Sequence, residues 1–486
     1  MPSLSFVDLF AGIGGFHTAL KAIGGECAGF SEIAPDAIAA YCRNYGMSPS
    51  SNLGDITKLD SLPEHDLMTA GVPCQSWSIA VRNLGFDDDR GQLWNDTIYL
   101  LNKARPKAFI FENVKGLADP RNRHALQYIT DRIGEAGYHC RKFVLNSYDY
   151  GLKQTRVRIY IVGFMEKRFL DRLDVPATSG KRLTLKDVIG GNAASGAAFE
   201  EQPKPRWSLS CNGMGFNDYF LFNDLRNGHT TIHSWDMKDT TERQKRICLL
   251  LLQNRRKPVY GPLDGNPLSL RHFKDLDRSV SKSDLEGLVD VGILKKVPYL
   301  YRVEDGCAAT TDVDRRLVAL SEDGLLNVDK AKGDRALRVM KTNVGKALAS
   351  LEAAGAARCV EMRYDFKNSK ISTGLEGINR IFLPSSKIYP TLVASDTRDF
   401  VATEEIYAAT AEEWKNEFME KIFRPRKFRR ITREEACRIQ GFPSDFSLPE
   451  ERHRWMKLLG NSVAVPVVAA IAKAVAATGV FGEGLC

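Results

Sequence analysis

The sequence predicts an α/β fold built on a doubly wound, mostly parallel β-sheet, and three observations support this prediction. Short β-rich runs alternate with helical patterns over residues 1–165. A glycine-rich turn joins the first predicted strand to the first helix. Polar or reactive side chains end or follow the next strands, where sheets of this kind bind ligands. A ligand site is therefore expected at the carboxyl ends of the strands.

The individual elements follow from short apolar runs and from helical periodicity. Strands are predicted at residues 4–10, 26–32, 66–71, 108–114, 139–146 and 156–164. Helices are predicted from the glycine turn to about residue 23 and at residues 34–45, 92–103 and 125–135. A last helix is predicted from about Asn461 to Ala477.

The alternation breaks after residue 166, and the sequence predicts irregular structure from there to about residue 423, with loops rich in Gly, Asn and Ser. Residues 268–296 differ, because their apolar positions indicate short helices separated by a turn: Leu270, Phe273, Leu276, Leu285, Leu288 and Ile293. A small DNA-reading subdomain of winged-helix type is one interpretation of this segment. The other interpretation is a helix–turn–helix pattern that arose by chance.

Composition describes a folded, mildly basic chain. The hydrophobic fraction is 43%, which excludes disorder for most of the 486 residues. Lys and Arg number 68 against 60 Asp and Glu, and the net charge of +8 is compatible with a polyanionic partner. No two of the ten cysteines form a CxxC pair, so neither a disulfide framework nor a metal site is expected. Neither a signal peptide nor a membrane span is visible, which predicts a cytoplasmic protein.

The turn within residues 8–15 (DLFAGIGG) indicates a cofactor site. Gly12, Gly14 and Gly15 allow the backbone to approach a ligand closely at the start of a helix. His17 occupies the third glycine position of the dinucleotide-binding pattern, which disfavours a nicotinamide dinucleotide.

Two carboxylates complete this cofactor prediction. Glu32 ends the second predicted strand, where a carboxylate can bind two ribose hydroxyls. Asp55 can reach an adenine amino group. A nucleoside cofactor without a diphosphate is therefore predicted.

Four side chains in the first 165 residues are candidates for chemistry. Cys74 follows a proline at the carboxyl end of the third predicted strand, a place that suits a reactive thiolate. Glu112 follows three apolar residues, so desolvation should raise the pKa of its carboxyl. Arg156 and Arg158 lie two residues apart on one predicted strand and should point to the same face.

Six segments, in this order along the chain, resemble the motifs of the cytosine-C5 DNA methyltransferases of bacterial restriction–modification systems. They are DLFAGIGG (8–15), PCQSWS (73–78), ENVKGL (112–117), QTRVRIYIVG (154–163), RRITREEACRIQGFP (429–443) and GNSVAVPVV (460–468). The resemblance implies a Rossmann-like, S-adenosylmethionine-dependent catalytic domain formed by residues 1–165 and 424–486. It assigns residues 166–423 to an inserted target-recognition domain.

The resemblance also implies the cofactor and its contacts. The methyl donor is S-adenosyl-L-methionine, the product is S-adenosyl-L-homocysteine, and no metal takes part. Ile33 departs from the family, because many relatives place an aromatic residue there against the adenine. The implied cofactor contacts are Phe10, Ala11, Gly12, Gly14, Gly15, Glu32, Ile33, Asp55, Ile56, Pro73, Asn461 and Ser462.

The family's chemistry assigns a role to each catalytic candidate. The Cys74 thiolate attacks C6 of a cytosine flipped out of duplex DNA, which activates C5 as a nucleophile. Protonated Glu112 donates to N3, and Arg158 donates to O2 of the base. Arg156 is a second candidate for the O2 contact, or else it orients Glu112.

Further residues are implied to contact the DNA. The candidates on the nucleophile loop and near the end of the recognition segment are Gln75, Ser76, Ser78, Arg82, Thr391 and Arg398, with Lys367, Lys370 and Arg380 lying around Thr391. The implied partners are double-stranded DNA and a restriction endonuclease that shares the target sequence. A monomer in the cytoplasm, associated with the nucleoid, is expected.

Two alternatives remain open at this point. One is an RNA cytosine-C5 methyltransferase acting on tRNA, which the length of residues 166–423 disfavours. The other is a catalytically silent DNA-binding relative. A silent relative should lack a catalytic side chain, yet Cys74, Glu112 and Arg158 are all present.

Overall fold

The computed structural model describes residues 4–73, 89–178, 185–189, 219–304, 311–368, 373–408 and 410–482. The chain divides into two compact units. The first contains residues 1–204, 382–407 and 417–486, and the second contains residues 205–381 and 408–416. The first unit therefore also takes in residues on either side of the second, at 166–204 and 382–407. The domain boundaries at residues 165 and 424 stay a prediction.

A six-stranded sheet forms the centre of the first unit, in the order β2-β1-β3-β4-β6-β5. Strands β1 to β4 run parallel, whereas β6 is antiparallel to both of its neighbours. This confirms the prediction of a doubly wound, mostly parallel sheet. The strands are β1 Leu4–Leu9, β2 Gly25–Ser31, β3 Leu67–Gly71, β4 Ala108–Val114, β5 His139–Asn146 and β6 Val157–Phe164.

Five helices follow these strands along the chain: α1 Gly15–Lys21, α2 Pro35–Tyr45, α3 Asp89–Ala104, α4 Arg123–Glu135 and α5 Lys167–Arg172. The central strands β1 and β4 are buried along almost their whole length, as expected of strands covered on both faces. One core cluster joins the sheet residues Leu9, Phe109 and Phe111 to Trp94 of α3 and Ile129 of α4.

The register of the sheet brings the functional segments to one edge. Leu9 at the end of β1 pairs with Ser31 of β2, and the neighbouring pair Gly71–Glu112 joins the ends of β3 and β4. Because the strands are parallel here, the residues that follow β1, β2 and β3 leave the sheet at the same edge as Glu112.

The second unit is more regular than its sequence predicts. Its helices and strands are β7 Tyr219–Phe222, β8 Thr231–Ile232, α6 Ser234–Met237, α7 Glu242–Asn254, β9 Leu268–Ser269, α8 Leu270–Leu276, α9 Lys282–Asp290, β10 Leu294–Val303, α10 Asp312–Ala319, β11 Leu325–Asn327, α11 Val328–Gly333, α12 Arg335–Val339, α13 Val344–Ala353 and β12 Ala357–Phe366. The prediction of irregular structure is wrong for those of these residues that lie outside 268–296. Polar residues that indicate loops in the sequence, such as Thr241, Ser281 and Thr311, are helix N-caps.

Residues 268–296 contain the two short helices expected there, α8 and α9, with a turn between them. Strands β10 and β12 form a long antiparallel pair, and β9 extends this sheet by pairing with β12. The winged-helix interpretation of this segment stays a prediction, and so does its DNA-reading role.

The remaining elements are β13 Arg380–Phe382, β14 Asp399–Ala402, α14 Ala411–Glu417, β15 Phe428–Arg429, α15 Arg433–Gln440, α16 Arg452–Asn461 and α17 Val465–Ala477. The last helix therefore begins at Val465 rather than at Asn461, which ends α16. Residues Arg452–Ala477 are long and apolar enough to span a bilayer by composition, but most of them are buried inside the protein. We interpret α17 as a core helix that packs against α1.

Candidate active site

The glycine turn after β1 has the backbone geometry of a ligand-binding loop. Phe10, Gly12 and Gly14 have positive φ angles of 52°, 56° and 84°, which turn the chain sharply between β1 and α1. A Cβ atom on Gly12 would meet nothing within 4 Å, so this side of the loop is open. The Ala11 amide donates to the carbonyl of Ser31 at 2.9 Å, which ties the loop to the end of β2.

Glu32 lies directly beside this loop. Its Oε2 accepts a hydrogen bond from the Gly12 amide at 2.8 Å, and its Oε1 accepts from the amides of Ile33 and Ala34. Asn52 fixes the Glu32 backbone, because its side chain both accepts from the Glu32 amide and donates to the Glu32 carbonyl. Sequence reasoning missed Asn52, which lies outside all six motifs.

The residues at this edge fit a nucleoside cofactor. Ile33 is 71% exposed next to the Glu32 carboxylate and offers an apolar surface for an adenine ring. The Asp55 carboxylate caps Thr57, and these hydrogen bonds lower the pKa of Asp55 and keep it an anionic acceptor. Ile56 is buried in the core cluster beneath it. Cofactor contacts at these residues stay a prediction.

Asn113 positions the chain that leads to Cys74. Its side-chain amide donates to the Val72 carbonyl at 3.1 Å, while its Oδ1 accepts from the Val114 amide. This bond holds the segment Val72–Pro73 beside the end of β4, directly before Cys74. The predicted contacts Cys74, Gln75, Ser76, Ser78 and Arg82 lie outside the described residues, and so does Lys370. Sequence reasoning gave Asn113 no role, although it lies within the ENVKGL motif.

Glu112 and Arg158 form a largely buried ion pair. The Arg158 Nε lies 3.1 Å from the Glu112 Oε1, and the two side chains are only 17% and 11% exposed. Burial raises the pKa of the Glu112 carboxyl, and the charges of Arg158 and Arg156 oppose that rise. The sequence predicted the direction of this shift from the apolar residues before Glu112.

Arg156 has different contacts from Arg158. Its two Nη groups donate to the carbonyls of Leu392 at 2.9 Å, Gly460 at 3.0 Å and Ser462 at 2.7 Å. Arg156 is buried and precedes the first residue of β6, whereas Arg158 lies on the strand. These contacts favour a positioning role for Arg156. Its alternative role at O2 of the base stays a prediction.

A buried amide pair continues this junction. Gln154 donates to the Ile439 carbonyl and to the side chain of Gln440, and its Oε1 accepts from the Leu392 amide. Gln440 in turn donates to the carbonyls of Ser462 and Val463. The contacts of Arg156, Gln154 and Gln440 join four segments that are far apart in sequence. We call these three side chains the motif junction.

Ser462 and Val463 lie against the glycine turn that follows β1. A Cβ atom on Gly15 would lie 2.8 Å from the Ser462 Oγ and 2.6 Å from the Val463 Cγ2. The first turn of α1 and the chain after α16 therefore touch at Gly15. Whether Asn461 and Ser462 bind the cofactor stays a prediction.

The DNA-contact candidates have differing surroundings. The Thr391 hydroxyl donates to the Thr155 carbonyl, so it takes part in the same junction of motifs. Arg380 stacks over the ring of Tyr219, while Lys367 and Arg398 are exposed.

In the basic segment 424–433, most cations are ion-paired, with the pairs Arg424–Glu420, Lys427–Glu404, Arg429–Glu435, Arg430–Asp396 and Arg433–Glu434. Most of the charge of that segment is therefore already balanced by ion pairs.

Among the described residues, no group of three or more His, Cys, Asp or Glu residues could hold a metal ion.

Comparison with known proteins agrees with this geometry. The family model for C-5 cytosine-specific DNA methylases matches residues 4–275 and 324–477. The Type II methyltransferase M.HgiBI of Herpetosiphon aurantiacus is 37% identical over 497 residues, and M.HgiCII of the same organism is 38% identical, each covering 100% of both chains. M.BanI of Aneurinibacillus aneurinilyticus is 28% identical and covers 96% of this chain and 94% of its own.

The chain belongs to the C-5 cytosine-specific DNA methylase family. It is a DNA cytosine-5 methyltransferase of the Type II restriction–modification kind. Use of S-adenosylmethionine follows from membership of this family, and so does DNA as the substrate. The resemblance inferred from the six motifs is confirmed.

Proposed function

We propose that this enzyme methylates C5 of a cytosine within one specific duplex sequence, through a covalent bond between Cys74 and C6 of the flipped base. The observation that carries this proposal is the Glu112–Arg158 pair beside the anchored segment Val72–Pro73. A proton donor and a cation thus lie at the strand end from which the nucleophile loop departs.

Each side chain has a separate role in the proposed reaction. The Cys74 thiolate adds to C6, while Glu112 gives a proton to N3, so that the ring becomes an enamine with a nucleophilic C5. Arg158 holds the Glu112 carboxyl and donates to O2, where negative charge develops. S-adenosylmethionine supplies the methyl group when it is bound at the loop of residues 10–15. Loss of the C5 proton to a base, expulsion of the Cys74 thiolate and return of the N3 proton to Glu112 then restore the neutral aromatic ring and the starting enzyme.

The cytosine must leave the helix for this chemistry, because C6 of a stacked base is out of reach of a side chain. We propose that the residues from Cys74 onward close over the flipped base. We further propose that the enzyme acts in the cytoplasm as a monomer, beside an endonuclease that cuts the same unmodified sequence. Light scattering of the purified enzyme with and without duplex tests the monomeric state.

The test is bisulfite sequencing of a plasmid from a host without cytosine methylation. The host expresses this chain, and a matched culture expresses Cys74→Ala. We expect protected cytosines in one sequence context in the first culture and none in the second. Protection by the Cys74→Ala variant would remove the nucleophile assignment, and absence of protection with folded wild-type protein would contradict the proposed substrate.

A second experiment tests the covalent step directly. A duplex with 5-fluorocytosine at the target position should form a denaturation-resistant complex with the wild-type enzyme when S-adenosylmethionine is present, because after methyl transfer the fluorine on C5 blocks the final elimination. Cys74→Ser should form no such complex, while it keeps reversible binding of the duplex. A stable complex with Cys74→Ser would show that another residue is the nucleophile.

A further inference from the structure

The second unit contains one structural module twice. Each copy has a helix, a short strand, two helices separated by a turn, and a long strand. The first copy is α7, β9, α8, α9 and β10, and the second is α10, β11, α11–α12, α13 and β12. Strands β10 and β12 pair antiparallel, β9 adds to β12 and β11 adds to β10. Exchanging the two copies leaves the sheet order β11-β10-β12-β9 unchanged, as in a two-fold repeat.

From α9 to the end of the long strand, the two copies match at a spacing of 63 residues, with Gly292 equivalent to Gly355. Their φ angles are 73° and 72°. The turns around them have the same hydrogen bonds: Val291, Gly292 and Ile293 donate to Gly287, Val289 and Leu288, and Ala354, Gly355 and Ala356 donate to Ser350, Glu352 and Leu351. Two further hydrogen bonds link the copies in both directions. The Lys367 amide, after β12, donates to the Ile293 carbonyl before β10, and the Glu304 amide, after β10, donates to the Ala356 carbonyl before β12.

The cores of the two copies match as well. Leu285 and Leu288 of α9 lie in the core of the first copy, and their equivalents Leu348 and Leu351 lie in the core of the second. The long strands are exchanged, because Tyr364 of β12 belongs to the first core and its equivalent Tyr301 of β10 belongs to the second. Each copy thus depends on the other for a strand, which indicates an internal duplication.

The two copies differ in charge around their helix–turn–helix segments. In the first copy, carboxylates at Asp277, Asp284 and Glu286 are paired with cations of neighbouring elements. In the second copy, the helix–turn–helix segment carries more Lys and Arg than Asp and Glu residues. We call the following exposed residues the basic turn: Lys332, Arg335, Arg338, Lys341 and Lys346. Within the described ranges, none of these five has a carboxylate partner.

The basic turn has a further property that separates it from an ordinary solvated surface. Val339, the last residue of α12, and Met340, which follows it, are 74% and 41% exposed. They lie between Arg338 and Lys341 and are apolar side chains that solvent alone does not favour. Asn343 caps α13 by accepting from the Lys346 amide, so the exposed Lys346 projects from the first turn of that helix.

We propose that the second copy is the DNA-contacting module of this unit, with α13 as the helix that enters a groove of the duplex. In helix–turn–helix proteins the second helix of the pair presents its first turns to base edges, and cations around the turn contact phosphates. The charge of the basic turn complements the duplex, whereas the first copy supplies a strand to the shared sheet and carries the paired acids. This assignment rests on the proposed function only in taking duplex DNA as the substrate.

The test compares variants that remove three exposed cations from the helix–turn–helix segment of one copy or the other in the full-length protein. One variant combines Arg335→Gln, Lys341→Gln and Lys346→Gln, and the matched control in the first copy combines Arg271→Gln, Lys274→Gln and Lys282→Gln. Duplex binding is measured by fluorescence anisotropy with S-adenosylhomocysteine over a range of salt concentrations. We expect the second-copy variant to bind at least about tenfold more weakly, with a salt slope smaller by about 3, and the control to change less than about threefold.

Each outcome decides the proposal. Losses confined to the control, or equal in both variants, overturn the assignment to the second copy. Wild-type-like binding by both variants, with methylation by the wild type intact, overturns DNA contact by this module but leaves the proposed function standing. If the wild type itself neither binds nor methylates duplex DNA, the proposed function fails first. Thermal unfolding checks both variants, and Arg335→Gln alone replaces a triple variant that does not fold.

Discussion

Arg156 and Arg158 lie two residues apart, and only their contacts in the structure distinguish them. Arg158 lies against the Glu112 carboxyl at 3.1 Å, where it can act on the same substrate atoms as the acid. Arg156 is bonded to three backbone carbonyls of the closing segments. These contacts favour a catalytic role for Arg158 and a positioning role for Arg156.

Glu112→Gln should lower the single-turnover methylation rate by about a hundredfold or more while duplex binding is kept, because the amide cannot donate a proton to N3. The wild-type rate should fall as pH rises through the pKa of Glu112, since only the protonated carboxyl is active. Burial raises that pKa, so the fall comes at higher pH than for an exposed Glu. Rate profiles against pH of both proteins check this, and a descending limb that persists in Glu112→Gln would assign it to another group.

Removal of the Arg158 cation should shift the descending limb of the pH–rate profile. Arg158→Gln takes away a positive charge that lowers the pKa of Glu112, so the limb should shift to still higher pH while the maximal rate drops. The shift separates an electrostatic role from a merely structural one, which would lower the rate without moving the limb. An unmoved limb would contradict the pairing of the two side chains in the working enzyme.

Arg156→Gln should destabilise the first unit by about 3 kcal/mol or more, because three buried carbonyls lose a charged donor. Arg158→Gln, with one ionic partner at the same strand, serves as the matched control and should cost less. Urea unfolding followed by fluorescence measures both. Equal stability of Arg156→Gln and the wild type would return Arg156 to the list of candidates for direct contact with the base.

At the level of elements, a close backbone contact explains why the last motif, GNSVAVPVV (460–468), begins with glycine. Gly460, in the last turn of α16, touches the chain that follows Leu392. A Cβ atom there would lie 2.2 Å from the backbone carbon of Val393. No side chain can move to relieve this contact. The element therefore depends on glycine for a reason of space and not of φ angle.

Gly460→Ala should destabilise the protein by about 3 kcal/mol or more, since the backbone near Val393 must shift. Gly134→Ala, within α4, is the control, because a Cβ atom there meets nothing within 4 Å and alanine favours helix. That control should be neutral or stabilise by up to about 1 kcal/mol. Thermal unfolding of the two variants measures the contrast, and equal effects would contradict the close approach.

At the level of the whole molecule, the first unit is assembled from three separate parts of the chain. The motif junction joins the strand β6 region to residues 391–392, 439–440 and 460–463. The cofactor loop also touches the closing segment at Gly15. The catalytic unit therefore needs the last sixth of the chain as much as the first third.

A chain that ends at residue 423 should lose both cofactor binding and cooperative unfolding of the first unit, because the carbonyl partners of Arg156 at Gly460 and Ser462 are missing. A chain that ends at Gly482 removes none of the described contacts and should behave as the full chain. Calorimetric titration with S-adenosylhomocysteine compares the two. Wild-type affinity in the shorter chain would show that the closing segment is dispensable for the site.

The sequence alone determined the family, the central sheet and the raised pKa of Glu112. Ordered motifs at strand ends suffice for this, because a parallel sheet carries its ligand sites at one edge. Tertiary structure decided the division of labour between Arg156 and Arg158, the roles of Asn52 and Asn113, and the duplicated module in residues 242–366. The arginine and asparagine contacts depend on partners far away in sequence, and the repeat shares its strands between copies. Neither feature leaves a local signal in the chain.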